Sequence, residues 1–87
     1  MDLYLKGEVA IVTGGASGIG RKICHTYAEE GAHPVILDIQ EERGKKVLKE
    51  CEEIGVEALF IHGDCSKEET CQKTVNDTIA KFGKVDI

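Results

Sequence analysis

The sequence predicts an α/β protein whose strands form a parallel sheet and are joined by helices. Three observations predict this class. Short apolar runs alternate with amphipathic segments of helical period, and the runs lack the polar alternation of half-exposed strands. A glycine-rich stretch, "TGGASGIG", separates the first run from the first helix. The 87 residues suffice for one small domain, so we expect β-α-β-α-β-α and the start of a fourth strand.

The first strand and helix flank the glycine-rich stretch. "EVAIVT", Glu8 to Thr13, predicts the strand, and "GIGRKICHTYAEEG" predicts the helix, which Gly31 is expected to end. The predicted apolar stripe of this helix consists of Ile19, Ile23, Cys24, Tyr27 and Ala28.

The second strand and helix follow directly. "PVILD", Pro34 to Asp38, predicts the strand, in which Pro34 fits only at the start because it has no N–H to donate. "QEERGKKVLKECEEIG" predicts a helix that Gly44 weakens slightly and Gly55 ends. Its predicted stripe consists of Val47, Leu48, Cys51 and Ile54.

The third strand lies within "VEALFIHGD", and the third helix follows "SKEE". Ser66 and Glu69 have the spacing of a capping box, which predicts reciprocal side-chain bonds at the helix start. Gly83 is expected to end this helix, and its predicted inward residues are Cys71, Val75, Ile79 and Phe82. "KVDI" predicts the opening of a fourth strand beside the first. Such an apolar edge predicts that the isolated chain is marginally stable, self-associating or packed against further chain.

Composition and charge exclude several classes of function. The net charge of −5, with acids and bases interspersed, argues against binding to nucleic acid or to an anionic membrane surface. No apolar run approaches a membrane span and "MDLYLKGE" is no signal peptide, so we expect a cytoplasmic protein. The four cysteines form no C-x-x-C pair and no zinc spacing, which predicts reduced thiols and no metal site. The three histidines are scattered and have no predicted chemistry.

The glycines are spaced Gly14-x-x-x-Gly18-x-Gly20, between a predicted strand and a predicted helix. A helix start presents unpaired N–H groups and a partial positive charge, so it attracts phosphate. Glycines there allow a pyrophosphate to approach the backbone closely. A tight turn without a ligand is the alternative, because a glycine motif alone is weak evidence.

An acid at the end of the second strand strengthens the case for a nucleotide. Asp38 lies 20 residues after Gly18, where a carboxylate can accept hydrogen bonds from a ribose. The alternative is a helix N-cap. Asp64, at the end of the third strand, could accept from an adenine amino group or could serve as a turn residue before Ser66. Together, the glycine turn and Asp38 at this spacing favour a dinucleotide-binding site.

The same acid favours NAD over NADP, because a carboxylate repels a 2′-phosphate. Ser17 and Ile39, the positions where a cation would help most, carry none. We interpret Arg21, Lys22 and Arg43 as solvated helix residues.

Four segments resemble the short-chain dehydrogenase/reductase family: "KGEVAIVTGGASGIG", "YAEEGAHPVILD", "GDCS" and "FGKVDI". The resemblance implies a Rossmann-type doubly wound sheet, with residues 1–87 as the N-terminal part of a single NAD-binding domain. It implies that Thr13 braces the turn and that Asp38 holds the ribose. It further implies that Asp64 and the backbone of Cys65 meet the adenine. The residues implied for the pyrophosphate and adenosine side are Gly14, Ser17, Gly18, Ile19 and Gly20.

The resemblance also implies a function for a longer protein. That protein would transfer a hydride between NAD and an alcohol or carbonyl of a small-molecule substrate. The resemblance further implies a 3-oxoacyl reductase-like activity and a homo-oligomer. The family's N-N-A-G segment, catalytic serine and Y-x-x-x-K pair come later in the chain than "VDI", and neither Tyr4 nor Tyr27 begins such a pair. Pro34 is a lesser departure from the family pattern. We therefore expect no catalytic residue within these 87 residues.

Two alternatives stay open at this point. The first is a non-catalytic module that binds a dinucleotide. The second is a fragment of an S-adenosylmethionine-dependent methyltransferase, in which an acidic residue usually precedes the glycine turn. Thr13 stands at that position here, so this second alternative is less favoured.

Overall fold

The computed structural model describes residues 6–87, and in this range strands and helices alternate as predicted. Tyr4 lies outside the described residues, and so does most of "MDLYLKGE", the segment on which the signal-peptide prediction rests. The elements are β1 (Val9–Thr13), α1 (Gly18–Glu29), β2 (His33–Asp38), α2 (Glu41–Ile54), β3 (Leu59–His62) and α3 (Glu68–Phe82).

The three strands form a parallel sheet in the order β1-β2-β3. Ile11 is opposite Val35, which is opposite Leu59. The predicted fourth strand is not formed as a strand within the described residues, but its backbone already pairs with β1. The Ile11 N–H donates to the Ile87 carbonyl at 2.9 Å, and the Asp86 N–H donates to the Val9 carbonyl at 3.0 Å. The sheet therefore extends on the β1 side, as predicted.

Each face of the sheet has its own hydrophobic core. On one face, Val12 and Ile36 pack with residues of α1 and α2, among them Cys24 and Cys51. On the other face, side chains of all three strands pack with Phe82 at the end of α3. Because α1 and α2 share one face and α3 lies on the other, the chain changes direction at β1, as expected for a doubly wound sheet.

Each helix ends at or next to a glycine, as predicted. Gly55 and Gly83 are left-handed C-caps, and Gly31 follows the C-cap of α1 with φ of +84°. Gly44 has a packing role that its helix propensity alone does not indicate. The Phe60 ring occupies the space where a Cβ at Gly44 would lie, so this glycine lets α2 approach β3.

The predicted stripe of α3 is wrong in most positions. Cys71, Val75 and Ile79 are exposed, whereas Thr74 and Thr78 are buried. Threonine can be buried in a helix because its hydroxyl can bond to a carbonyl one turn earlier. Thr78 Oγ1 donates to the Thr74 carbonyl at 2.6 Å, and Thr74 Oγ1 donates to the Thr70 carbonyl at 2.7 Å. The helix therefore turns its hydroxyls inward and its aliphatic side chains outward.

Three further predicted inward residues are also exposed. Ile19 and Ile23 of α1 and Ile54 of α2 face outward, while Cys24, Ala28, Val47 and Cys51 are buried as predicted. Ile19 lies in the first turn of α1 and Ile54 is the last residue of α2.

The predicted capping box is wrong. The N-cap of α3 is Lys67, without a side-chain bond, and Ser66 precedes it. The Ser66 hydroxyl instead donates to Asp64 Oδ1 at 2.7 Å. A strong acceptor two residues before Ser66 competes with the helix start for this hydroxyl.

Candidate functional site

The glycine turn leaves β1 through a left-handed residue and packs directly on the first turn of α1. Gly14 has φ of +65°, a conformation that residues with a Cβ rarely adopt. Its N–H donates to the Leu37 carbonyl at 2.8 Å, which ties the turn to the end of β2. A Cβ at Gly20 would overlap the Gly14 carbonyl oxygen and lie 2.8 Å from the Gly15 Cα. The position of the turn therefore requires glycine at 14 and at 20.

Ser17 is the N-cap of α1, a role that the sequence analysis did not assign. Its hydroxyl oxygen accepts from the Gly20 N–H at 3.3 Å, and its O–H donates to the Gly14 carbonyl at 2.7 Å. The capping pattern S-x-x-G was present in the sequence but lacked the acid that marks a capping box.

The first-turn amides of Gly18 and Ile19 have no acceptor within the helix, as at any helix start. No acidic side chain stands in this turn. Ile19 is 80% exposed. The start of α1 therefore combines orphan donors, positive helix-dipole potential and an exposed apolar side chain, which suits an anionic group that carries apolar parts.

Asp38 connects the end of β2 to the glycine turn. Only 8% of this residue is exposed. Its Oδ2 accepts from the Ala16 N–H at 3.0 Å, and its Oδ1 accepts from the Gln40 N–H at 2.8 Å. The alternative of a helix N-cap is wrong, because Gln40 is the N-cap of α2. A carboxylate offers about four acceptor positions, so two backbone bonds leave capacity for a ligand hydroxyl.

Asp64 is held in the turn that follows β3. Its Oδ1 accepts from the Ser66 N–H at 2.9 Å as well as from the Ser66 hydroxyl. These bonds, the hydroxyl first, lower the pKa of Asp64 below its ordinary value. The turn role considered for Asp64 is thus present in the structure.

Four of the predicted site residues come together around one cavity of about 180 Å³ at the carboxyl ends of the strands. In an open α/β sheet, this is the end at which ligands bind. Ser17, Gly18, Ile19 and Gly20 stand apart from this cavity, at the adjoining helix start. The lining residues of the cavity are Gly14, Leu37, Asp38, Ile39, Gly63, Asp64 and Cys65.

A second cavity of about 260 Å³ lies between the glycine turn and α2, and it is basic. Arg21, Arg43 and Lys46 line it together with Ala16 and Gly18. Sequence spacing did not indicate this grouping, because the cations come from two helices that only the fold places side by side.

Arg21 is an exposed helix residue, as interpreted, and it also pairs with an acid of α2. Its guanidinium forms two bonds to Glu50, Nε to Oε1 at 2.9 Å and Nη2 to Oε2 at 2.6 Å. His25 Nε2 lies 2.9 Å from the same Oε1. The hydrogen bond from Arg21 is the main reason that the pKa of Glu50 falls to about 2. This cluster joins α1 to α2 beside the glycine turn.

Within residues 6–87, every helix is too short or too polar to cross a membrane.

A parallel sheet with a glycine turn after its first strand and an acid after its second has the architecture of the doubly wound α/β fold. The family model described as "short chain dehydrogenase" matches residues 8–87, and the chain therefore belongs to the short-chain dehydrogenase family. The predicted resemblance is confirmed.

Curated relatives agree with this assignment. The chain is 45% identical over 83 residues to "Tropinone reductase-like 1" of Erythroxylum coca, which covers 95% of the chain and 29% of that protein. It is 42% identical over 85 residues to an "Uncharacterized oxidoreductase" of Thermotoga maritima, covering 98% of the chain and 33% of that protein. The chain thus spans about a third of the length of these relatives.

Solved structures confirm the fold. An NAD⁺-bound xylitol dehydrogenase matches with a TM-score of 0.89 at 35% identity, over 94% of the chain and 32% of that protein. A hydroxysteroid dehydrogenase from Escherichia coli also matches with a TM-score of 0.89 at 35% identity, over 94% of the chain and 34% of that protein. The predicted Rossmann-type α/β fold is therefore confirmed.

Proposed function

We propose that this chain binds NAD as the dinucleotide-binding part of an oxidoreductase that transfers a hydride between NAD and an alcohol or carbonyl. One observation carries the proposal. The Asp38 carboxylate is held 3.0 Å from an amide of the glycine turn and lines the same cavity as Gly14 and Asp64. A single site therefore contains an acceptor for ribose hydroxyls next to a turn suited to phosphate.

The residues present fit a dinucleotide in three parts. The amides of Gly18 and Ile19 would bind the pyrophosphate, with Gly14 and Gly20 allowing close approach and Ser17 fixing the helix start. Asp38 would accept from the adenosine ribose. Asp64 and the backbone of Cys65, both at the cavity, would meet the adenine. When bound, NAD supplies the hydride acceptor or donor, and these residues bind and orient it.

Two carboxylates at the cavity support NAD over NADP, because each would repel a 2′-phosphate. The basic cavity lined by Arg21, Arg43 and Lys46 is the observation that favours NADP instead. Neither Asp38 nor Asp64 lines that basic cavity, and Glu50 already neutralises Arg21. We therefore propose NAD as the cofactor.

Catalysis is proposed for a longer protein, since the matched relatives are about three times the length of this chain. Residues 1–87 would be the N-terminal part of its NAD-binding domain and would bind and orient the cofactor. No Y-x-x-x-K occurs within these 87 residues, so we propose that the serine and the tyrosine–lysine pair that transfer the proton in this family belong to the rest of the longer protein. The partners we propose are a small-molecule alcohol or carbonyl and further copies of the protein. A 3-oxoacyl reductase subtype stays a prediction, because the relatives carry the names of several different activities.

Titration calorimetry with NAD and NADP tests the site. We expect the protein to bind NAD at least tenfold more tightly than NADP. In Asp38→Ala, NAD affinity should fall at least tenfold and the preference for NAD should disappear. Glu53→Gln, an exposed change of one acid on α2, is the matched control and should leave both affinities unchanged. Circular dichroism verifies that each variant is folded, since Asp38 also accepts two backbone bonds. A preference of the unaltered protein for NADP would refute our interpretation of Asp38.

Two further measurements address the alternatives. S-adenosylmethionine in the same calorimeter should produce no binding heat, whereas binding of it in preference to NAD would favour a methyltransferase. Turnover of NAD with an alcohol by the longer protein separates an enzyme from a module that only binds the dinucleotide.

A further inference from the structure

The four cysteines are all free, and they divide into two pairs with opposite surroundings. Cys24 and Cys51 are buried together in the core between α1, α2 and the sheet. Burial raises the pKa of Cys24 to about 12 and that of Cys51 to about 11, so both stay thiols. Cys65 and Cys71 are exposed to solvent and can meet a dissolved oxidant. Only the second pair is therefore open to thiol–disulfide exchange.

Cys65 and Cys71 lie against each other across the start of α3. Cys71 Sγ is 3.4 Å from the Cys65 carbonyl oxygen. Two covalent bonds join that oxygen to the Cys65 Cα, so Cys71 Sγ lies within about 6 Å of that Cα. The Cys71 thiol thus already lies against the Cys65 backbone. Because a disulfide joins residues whose two Cα atoms are about 4.4 to 6.8 Å apart, bond formation requires a change of χ1 together with a movement of the loop that carries Cys65.

Cys65 is also part of the candidate dinucleotide site. It lines the cavity that contains Asp38 and Asp64. The preceding turn is tightly packed on α3, because a Cβ at Gly63 would lie 2.6 Å from Thr70 Cγ2. This loop cannot move Cys65 towards Cys71 without also moving the backbone of Asp64. A bond between the two sulfurs would thus change the adenine end of the cavity.

We propose that Cys65 and Cys71 form a redox-sensitive pair, and that their oxidation to a disulfide weakens dinucleotide binding. The oxidant is a low-molecular-weight disulfide such as glutathione disulfide. One cysteine thiolate attacks it, forms a mixed disulfide and releases glutathione. The second cysteine then displaces the other glutathione. In total two protein thiols become one disulfide, and one glutathione disulfide becomes two glutathione thiols, so protons and electrons balance. The binding effect rests on the proposed function, whereas disulfide formation does not.

Coupling of this kind is reciprocal by thermodynamic linkage. If the disulfide lowers NAD affinity tenfold, bound NAD must disfavour the disulfide by the same factor. For a two-electron couple, a factor of ten corresponds to about 30 mV in the reduction potential of the pair. Saturating NAD should therefore shift the midpoint of a glutathione redox titration by about 30 mV towards more positive, more oxidising potentials.

Mass spectrometry after exposure to glutathione disulfide detects the bond directly. We expect the intact mass to fall by about 2 Da, the two hydrogens lost when a disulfide forms. Trypsin cleaves after Lys67, between the two cysteines, so the disulfide should join peptide 50–67 to peptide 68–73. Peptide 50–67 also contains Cys51, and Cys51→Ala should leave the cross-link intact. Absence of this cross-link at oxidising glutathione ratios would overturn the proposal.

Calorimetry with NAD then measures the coupling. Oxidation should reduce affinity at least tenfold, and dithiothreitol should restore it. Cys71→Ser preserves a hydroxyl opposite the Cys65 carbonyl but cannot form the bond. Its NAD affinity should equal that of the reduced protein and should not respond to oxidant. A cross-linked protein with unchanged NAD affinity would overturn the coupling. A reduced protein that fails to bind NAD would instead refute the proposed function, and the cross-link would still be decided by mass.

Discussion

Replacement of Gly20 by alanine should disrupt the attachment of α1 to the end of β1. The added Cβ would overlap the Gly14 carbonyl oxygen and approach the Gly15 Cα. These neighbours are backbone atoms, so a change of rotamer cannot relieve the overlap. Either α1 shifts away from the turn, or the turn loses the bond between the Gly14 N–H and the Leu37 carbonyl.

The size of the effect follows from two opposing contributions. Overpacking of a well-packed site costs about 1 to 3 kcal/mol, and contact with backbone belongs at the upper end. Alanine in place of glycine in a helix returns at most about 1 kcal/mol. We therefore expect a net loss of about 2 kcal/mol in the free energy of unfolding. For a domain of this size, that corresponds to a fall in Tm of about 8 to 16 °C.

Gly18→Ala is the matched control, two residues earlier in the same helix. Among residues 6–87, no atom other than those of its chain neighbours and of the nearby helix backbone lies within 4 Å of the position where its Cβ would stand. Its free energy of unfolding should therefore stay equal or rise by up to about 1 kcal/mol. Its NAD affinity should nevertheless fall, because the open space beside Gly18 is where we place the pyrophosphate. The two variants should thus separate stability from binding.

Urea unfolding followed by far-ultraviolet circular dichroism gives the stabilities, and calorimetry with NAD gives the affinities. Equal stability of Gly20→Ala and Gly18→Ala would refute the close approach of α1 to the turn. Unchanged NAD affinity in a folded Gly18→Ala variant would refute the placement of the pyrophosphate.

Three other predictions concern charge, surface and thiols. The pKa of Glu50 is lowered in the folded state, so its stabilising effect is present above its unfolded pKa near 4.5 and is lost as pH falls towards about 2. Glu50→Gln should cost about 1 kcal/mol at pH 7 and flatten this acid dependence in urea titrations, whereas Glu53→Gln should do neither. Ile79→Lys, on the exposed face of α3, should leave the free energy of unfolding within about 0.5 kcal/mol and reduce self-association in analytical ultracentrifugation; an unchanged sedimentation profile would contradict this. Iodoacetamide at pH 8 should modify Cys65 in the folded protein and leave the buried Cys24 intact. Peptide mass spectrometry measures both, and early labelling of Cys24 would show that the core around it is open to solvent.

The sequence was sufficient to predict those parts of the fold that depend on local pattern. Apolar runs gave the strands, and Gly31, Gly55 and Gly83 gave the helix ends. The pairing of residues 86 and 87 with β1 followed from the expected crossover rules. These features depend on periodicity and on backbone preferences that each segment carries by itself.

The predictions that failed depend on tertiary context. Periodicity placed the aliphatic residues Val75 and Ile79 inward, but the structure buries Thr74 and Thr78, whose hydroxyls are satisfied within the helix. For the same reason, a window along one helix could not show that Arg21 of α1 would meet Glu50 of α2. Their separation of 29 residues exceeds any local pattern.

The candidate site divides in the same way. The glycine turn and Asp38 were predicted from spacing, and the structure places them in contact through the Ala16 amide. Two features of the site were not predicted: the capping role of Ser17, and the two hydrogen bonds that Ser66 donates to Asp64. A hydroxyl can bond to any of several acceptors nearby, so sequence spacing does not decide its partner.

The close fit between Gly44 and Phe60 restricts how this region can change in sequence. The space between α2 and β3 at this point holds one side chain, and the Phe60 ring fills it because Gly44 has none. Substitution at the two positions is therefore interdependent: a larger group on the helix is admissible only together with a smaller one on the strand. Substitution of both residues together can therefore keep α2 packed on β3, whereas a larger residue at position 44 alone would overlap the Phe60 ring.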